Sequence, residues 1–329
     1  MLLWSIARIF LGGTLGLALS GGVLAAEPLL VLRPVRLVLP YPPGGGGDFT
    51  GRELAHQLTQ LWGQQVVVDN RPGAGTAIAH NIVAKAAPDG YTLGLGSSGG
   101  MVLLNVMSQK VPYQSPQDFS TLGQVVSLPF VVSIHAALPV NTISELIALA
   151  KAQPGKLNFG SPGTGTPNHL GGELLKMMAS IQMVHVAYKG GGLAATDLAT
   201  GAIQIFFTPI QAVLPFMSTG RVRVIAVSTP ERFRGLPDLP AVAETIPHFD
   251  CSSWYALIGP RGMEPRRIHK INEDLGRVIV QEDFVKRMMQ GGVQPMASTP
   301  EGLRRHIVEE QDRWRRVIRS AGISSEVMN

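Results

Sequence analysis

Three glycine-rich stretches each follow a β-branched run and lead into a segment of helical period. They are Tyr41-Pro42-Pro43-Gly44-Gly45-Gly46-Gly47-Asp48, Ser161-Pro162-Gly163-Thr164-Gly165-Thr166-Pro167-Asn168 and Tyr188-Lys189-Gly190-Gly191-Gly192. Glycine lets a backbone come close to a guest and turn its N–H groups outward, and the helix start that follows adds unpaired donors and about half a positive charge. Together these features make an anion site. The plainer reading is a set of tight turns, which suits a single loop better than several loops spread over two halves of one chain. Phosphate would require Gly-Lys-Ser/Thr, which is absent, and no G-x-G-x-x-G follows a strand with an acidic residue about 20 positions on. A carboxylate needs only a few N–H and hydroxyl donors, and Ser97, Ser98, Ser161, Thr164 and Thr166 supply hydroxyls.

Other chemistry finds less support. A serine nucleophile would want G-x-S-x-G, which is missing, and Pro162 removes the N–H after Ser161 that an oxyanion hole of that kind uses. His169 and Glu173 stand four apart on one helix, but no third metal ligand follows at a diagnostic spacing, so His169 reads as a capping or pocket-lining residue. The other histidines, His56, His80, His135, His185, His248, His269 and His306, are scattered and read as structural or surface residues. Lys189 is the cation of the third glycine loop; it either faces the ligand or is a solvated loop charge. Neither a metal nor a cofactor is expected.

The elements that must position these loops alternate strand and helix, the signature of α/β layers. Val35 to Pro40 reads as a strand, and a helix runs from about Asp48, placed as its N-cap, to Trp62. Strands follow at Gln65 to Asp69 and Thr92 to Gly96, the latter leading into Ser97-Ser98-Gly99-Gly100, with a helix from Thr76 to Ala86 between them. The scheme restarts after Pro129: a strand at Phe130 to Ile134, a helix from a Thr142 cap with Glu145 three residues on, a strand at Lys156 to Gly160, and a helix at Asn168 to Ser180. Further strands are expected at Met183 to Tyr188, Ile203 to Phe207, Arg221 to Ser228 and Ser253 to Ile258, a helix at Leu193 to Thr200, and mostly helix beyond Pro265, broken at Gly291-Gly292.

The 329 residues suit about two domains. A hydrophobic share of 45% excludes wholesale disorder, and 38 glycines without a G-X-Y period exclude collagen. The net charge of +5 is partly local, since Arg304, Arg305, Arg313, Arg315, Arg316 and Arg319 crowd the end beside Glu309, Glu310 and Asp312. That run reads as a solvated helix face, and without a basic stripe interleaved with aromatics no nucleic-acid partner is expected. Residues 1–25 read as a signal peptide: Arg8, an apolar core from Ile9 to Leu19, and small or β-branched residues at Val23-Leu24-Ala25, with cleavage near Ala25. Cys251 is the single cysteine, so no intrachain disulfide forms. An exported, disulfide-free pair of domains fits a bacterial periplasm.

Several long motifs, in order, resemble a known family. They are Pro40-Tyr41-Pro42-Pro43 with Gly44 to Asp48; Asn70-Arg71-Pro72-Gly73-Ala74-Gly75, then Val83 to Thr92; Asn158-Phe159-Gly160-Ser161-Pro162-Gly163-Thr164-Gly165-Thr166 with His169; His185 to Gly190; Leu236-Pro237-Asp238-Leu239-Pro240; and Trp254 with Gly259-Pro260. Over about residues 33–323 the chain resembles the Bug (TctC-like) substrate-binding proteins of tripartite tricarboxylate transport systems. The resemblance implies an α/β type II periplasmic binding protein with two α/β lobes and a ligand cleft between them. Lobe 1 would be discontinuous, 33–132 plus 250–329, and lobe 2 would be 133–249. It also implies capture of a small carboxylate or related solute, often through ordered water, by the loops Tyr41–Asp48 and Ser161–Thr166.

The candidate ligand-binding set is Tyr41, Gly45, Gly46, Gly47, Asp48, Ser97, Ser98, Ser161, Gly163, Thr164, Thr166, His169, Tyr188, Lys189, Gly190 and Thr208, with no catalytic residue. The expected partners are the small solute and the membrane permease subunits of a tripartite tricarboxylate transporter, and the expected state is a monomer. Rival readings are a ligand-loaded sensor for a signalling receptor and a secreted hydrolase using Ser97, Ser98 or Ser161. Two departures from the family pattern stand out. Thr76 takes the place of a frequent third glycine, and Gln204 and Thr208 lie where acidic residues are frequent. Loss of that negative charge beside the cleft should favour anions and disfavour ligands with an amino group.

Overall fold

The computed structural model describes residues 33–107 and 110–323, so the expected signal peptide lies outside the described residues. The chain runs β1 (Val35–Leu39), α1 (Gly46–Trp62), β2 (Val66–Asn70), α2 (Ala77–Ala84), β3 (Thr92–Ser97), α3 (Leu104–Met107), β4 (Phe119–Leu128), β5 (Val131–His135), α4 (Ile143–Ala152), β6 (Asn158–Ser161) and α5 (Pro167–Ala179). It continues with β7 (Val184–Ala187), α6 (Gly191–Thr200), β8 (Ile205–Thr208), α7 (Leu214–Met217), β9 (Val222–Val227), β10 (Ser253–Pro260), α8 (Pro265–Ile279), α9 (Glu282–Gln290), β11 (Gln294–Pro295) and α10 (Pro300–Ser320).

The strands form two mixed sheets, ordered β11-β4-β10-β3-β1-β2 and β7-β6-β8-β5-β9. Each contains the same motif. In the first sheet β1 pairs in parallel with both β2 and β3; in the second β6 pairs in parallel with both β7 and β8. An antiparallel strand then flanks the motif, β10 beside β3 and β5 beside β8. The order of connection therefore reverses between β1 and β3, and again between β6 and β8. The crevices outside the carboxyl ends of such strands are where open α/β sheets bind ligands.

Burial explains the strands. Leu37, Leu39, Leu93, Leu95, Leu54 and Leu58 are buried between β1, β3 and α1, each side chain contributing about 1.5–3 kcal/mol. Thr142 caps α4 as its sequence suggests: its hydroxyl accepts the Glu145 N–H over 3.1 Å while Glu145 Oε2 accepts the Asn141 N–H. Asp48 is not the cap of α1. The helix starts two residues earlier, with Gly45 at the cap position, and Asp48 reaches back from the first turn.

The chain crosses between the sheets twice, from β4 to β5 and from β9 to β10, and the crossings meet at Ser228. Its hydroxyl accepts the Phe130 N–H over 3.1 Å and donates to the Cys251 carbonyl over 3.0 Å. The buried core is continuous across this seam, from Ile258 and Trp254 through Cys251 and Phe249 to Phe207 and Leu170. Helix α10 braces it. Trp254 Nε1 donates to Glu310 over 2.6 Å, and Arg313 bonds Glu310 and lies 3.6 Å from Asp250. The arginine-rich end is thus a solvated face except at Arg313, and Glu310 beside it is only 2% exposed, with burial raising its carboxyl above the usual range.

Candidate ligand-binding site

The first glycine loop leaves the carboxyl end of β1, and Asp48 fixes its shape. One carboxylate oxygen accepts the Gly44 N–H over 2.9 Å and the Arg52 Nε over 2.9 Å; the other accepts Asn70 Nδ2 over 2.8 Å. The bond from Arg52, with those from Gly44 and Asn70, holds the Asp48 carboxyl down at about 2. Asp48 is buried and every one of its bonds is internal, so its role is to set the loop rather than to touch a guest. What the loop leaves open is backbone. Gly45 and Gly46 are exposed, and the N–H groups of Gly45, Gly46 and Gly47 belong to a helix start without intrahelical acceptors. Gly47 is required for another reason: a Cβ there would lie 2.1 Å from the Tyr41 ring.

Tyr41 ties this loop to the end of β3. Its hydroxyl faces those of Ser97 and Tyr255, and its ring centroid lies 5.3 Å from that of Tyr255. Ser97 Oγ accepts the Gly100 N–H over 3.2 Å, starting a π-helical turn, Gly99–Leu103, that runs into α3. The Ser97 N–H donates to His80 Nε2 over 3.4 Å, while His80 Nδ1 lies 2.8 Å from the Thr76 carbonyl. Nδ1 therefore carries the proton, and burial keeps the ring neutral, its pKa down at about 4. Ser98 Oγ lies 2.6 Å from Ser253 Oγ.

A cleft of about 850 Å³ opens in front of Gly44, Gly45 and Gly46, walled by Phe49 and by Asp283, Lys286, Arg287, Gln290 and Gly291 of α9 and its end. No residue of 161–166 lines it. Gln211, from the second sheet's side, donates through Nε2 to the Gly291 carbonyl over 3.2 Å, so the two halves touch at its rim.

The second loop leaves the carboxyl end of β6. Ser161 is fully buried. Its Oγ accepts the Gly163 N–H over 3.2 Å and lies 2.8 Å from the Gly163 carbonyl and 2.7 Å from His185 Nε2. A serine beside a histidine resembles a nucleophile with its base. This hydroxyl is closed off from any substrate and committed to its own loop. Thr166 caps α5 and donates to the Gly163 carbonyl over 2.7 Å, and the Gly165 N–H donates to His169 Nδ1 over 3.0 Å. The N–H groups of Thr164 and Asn168 make no hydrogen bond among the described residues. The third loop joins the second through Gly190 N–H to the Pro162 carbonyl, 3.2 Å, and opens α6. Tyr188 turns away to bond Asp197 over 2.7 Å; burial, then that carboxylate, push its hydroxyl up to about 12. Lys189 is exposed and makes no side-chain hydrogen bond or ion pair among the described residues.

The candidate residues thus gather into two groups. Tyr41, Gly45, Gly46, Gly47, Asp48, Ser97 and Ser98 surround the β1–β3 crevice. Ser161, Gly163, Thr164, Thr166, His169, Tyr188, Lys189 and Gly190 surround β6 and its loops, with Thr208 buried at the end of β8. The segment Cys251–Ser253 touches both groups, since Ser253 bonds Ser98 and Cys251 Sγ donates to the Pro167 carbonyl over 3.3 Å. Most of the expected hydroxyl donors are already engaged, so backbone N–H groups remain as the free donors. Gln204 does not bear on the site. It precedes β8, at the end opposite Thr208, where its side chain accepts the Asn158 N–H and donates to the Gly201 carbonyl. Sequence reasoning points to the loop Ser252–Trp254 but gives no site role to Tyr255, Cys251 and His185, buried or half-buried supports whose partners lie elsewhere along the chain.

Two α/β halves joined by paired crossings, each presenting a glycine loop at a reversal of strand order, define a two-lobed solute-binding protein. The model of the family described as "Tripartite tricarboxylate transporter family receptor", TctC, matches residues 50–323, and the chain belongs to that family. BugT of Bordetella pertussis is 33% identical over 88% of this chain and 90% of its own. Among solved structures, R. palustris Rpa4515 with adipate is 31% identical, covering 89% of this chain and 98% of that one with a TM-score of 0.71. MatC from Rhodopseudomonas palustris with bound malate is 26% identical, covering 88% and 100% with a TM-score of 0.66. These relatives are binding proteins, and the chain is a binding protein rather than an enzyme. Among the described residues no helix is long and apolar enough to cross a membrane, and no three His, Cys, Asp or Glu side chains group as a metal site.

Proposed function

We propose that this protein captures a small organic carboxylate in the periplasm and delivers it to the permease subunits of a tripartite tricarboxylate transporter. Lobe 1 would comprise 33–132 plus 250–329 and lobe 2 would comprise 133–249, with residues 1–25 directing export. The observation that carries the reading is the meeting of Ser98 and Pro167 on the one short segment Cys251–Ser253. That meeting supports reading the loops of both halves as facing one crevice. There the free N–H groups of Gly45, Gly46, Thr164 and Asn168 supply anion donors without spending a side-chain charge. Beside the first loop Lys286 offers a positive charge to a negative guest, offset by Asp283 on the same wall, while Arg287 is paired with Glu53 over 3.3 Å. Adipate and malate in two similar structures support a carboxylate as the solute class.

A thermal-shift screen of mono-, di- and tricarboxylates, amino acids and uncharged solutes tests this. A ligand at about 100 times its Kd stabilises by about 2.7 kcal/mol, which a melting curve resolves. Stabilisation by carboxylates, lost on Gly46→Pro or Thr164→Pro, is the expected result. Stabilisation by uncharged solutes alone would overturn it.

A further inference from the structure

The rings of His169 and His185 stack beneath the second glycine loop, centroids 3.6 Å apart and planes 17° from parallel. Each grips that loop, His185 through Ser161 and His169 through the Gly165 N–H. We propose that this pair takes up one proton, lodged on His185, when an anion occupies the loop, so that capture of the ligand is proton-coupled. The inference rests on the carboxylate reading above.

The hydrogen bonds place the proton. Because His169 Nδ1 accepts from Gly165, its own proton sits on Nε2, facing Glu173 at 3.7 Å. A second proton on His169 would point at the Gly165 N–H and break the bond. His185 has no such conflict. When Nε2 is protonated it donates to Ser161 Oγ, and the serine hydroxyl turns to the Gly163 carbonyl 2.8 Å away, so every loop bond survives. One imidazolium over one neutral ring is attractive, whereas two cations at this separation repel, which limits the pair to a single added proton. The charged groups facing the pair are Glu173 and Lys176 of α5, which bond each other over 2.8 Å and largely cancel. Phe159, from β6, contributes an uncharged ring 5.0 Å from His185. Without a guest, burial holds His185 down at about 4. A carboxylate on the loop supplies the missing negative charge.

The test is a pair of measurements with adipate, or with whichever linear dicarboxylate binds most tightly in the screen. Calorimetry in two buffers of different ionisation enthalpy at pH 5.5 should show wild type taking up more protons on binding than His185→Phe or His185→Gln. The fall in Kd between pH 7.5 and 5.5 should exceed theirs by about threefold. The variants share the ligand's own ionisation, so the difference belongs to the pair. Independently, NMR titration of the His185 ring in the wild-type protein should show its midpoint rising when ligand is saturating. An unchanged midpoint with binding intact overturns the proton coupling alone. Absence of binding by every carboxylate overturns the functional reading and this inference with it.

Discussion

Ser228 and Cys251 are joined twice: the Ser228 hydroxyl donates to the Cys251 carbonyl over 3.0 Å, and the Cys251 N–H donates to the Ser228 carbonyl over 3.0 Å. Ser228 also exchanges bonds with Phe130, so a single buried serine clamps both crossings between the sheets. Ser228→Ala would leave the Phe130 N–H and the Cys251 carbonyl short of a partner in a dry seam. Such a loss costs about 1–3 kcal/mol, read as a lower midpoint in urea denaturation. A change below about 0.5 kcal/mol would mean that the hydroxyl is not what holds the crossings.

The two neighbouring glycines of the first loop should respond differently to alanine. At Gly47 a methyl group meets the Tyr41 ring and displaces it from Ser97, so Gly47→Ala should destabilise by about 1–3 kcal/mol. At Gly46 nothing lies within 4 Å, and Gly46→Ala should leave folding stability within about 0.5 kcal/mol. Melting curves of the two unliganded variants, taken side by side, decide it.

Acid should weaken the fold in two stages. His80 is held neutral in the folded state, at about 4 against an ordinary 6.5. Its stabilising share is complete above about pH 6.5, shrinks as the unfolded chain takes up a proton the folded one refuses, and is gone below about pH 4; it amounts to at most about 3 kcal/mol. Asp48, held at about 2, acts lower. Its share is present above about pH 4 and is lost as pH falls towards 2; it amounts to at most about 2 kcal/mol after allowing for the exposure of Arg52. Tm measured from pH 7.5 to 3 should fall first below pH 6.5, where His185, also held at about 4, acts alongside His80, and His80→Asn should shrink that first stage without touching the second.

Thr76 has a backbone φ of +88°, a conformation that a β-branched residue adopts at a cost, and its Oγ1 is buried without a hydrogen-bond partner among the described residues. Relief of the strain, about 1–2 kcal/mol, outweighs the added freedom of glycine in the unfolded chain, about 0.5–1 kcal/mol. Thr76→Gly should therefore raise Tm by a few degrees. A lower Tm would show that the threonine makes a contribution the φ angle hides.

The glycine loops and most of the strand–helix alternation were legible because they are local: runs of Val, Ile and Leu, a capping box at Thr142, and glycines where a turn must be tight. What was hidden is long-range. β4 went unread because Phe119 to Leu128 mixes Gly123 with Ser120, Thr121, Gln124 and Ser127, all four of them buried. Their partners, such as the Pro260 and Pro300 carbonyls, lie 140 and 179 positions away. The composition of Ser97-Ser98-Gly99-Gly100 is turn-like and hides the π-helical turn that begins at Gly99, held by Ser97 and Tyr113. An acidic residue before a periodic stretch ordinarily marks a helix cap, which is why the sequence points to Asp48; the four preceding glycines let the helix begin earlier. His185 looked like one of several isolated histidines, and only folding set it against His169.

The lone thiol of the chain has a use that its chemistry would not suggest. Cys251 is 1% exposed and wedged between the crossing segment and the first turn of α5, and burial raises its pKa far above the ordinary thiol range. A maleimide cannot reach it while the halves are seated together. The pace of alkylation therefore becomes a native stopwatch for their separation, needing no engineered label, and a bound solute that keeps them seated should slow it.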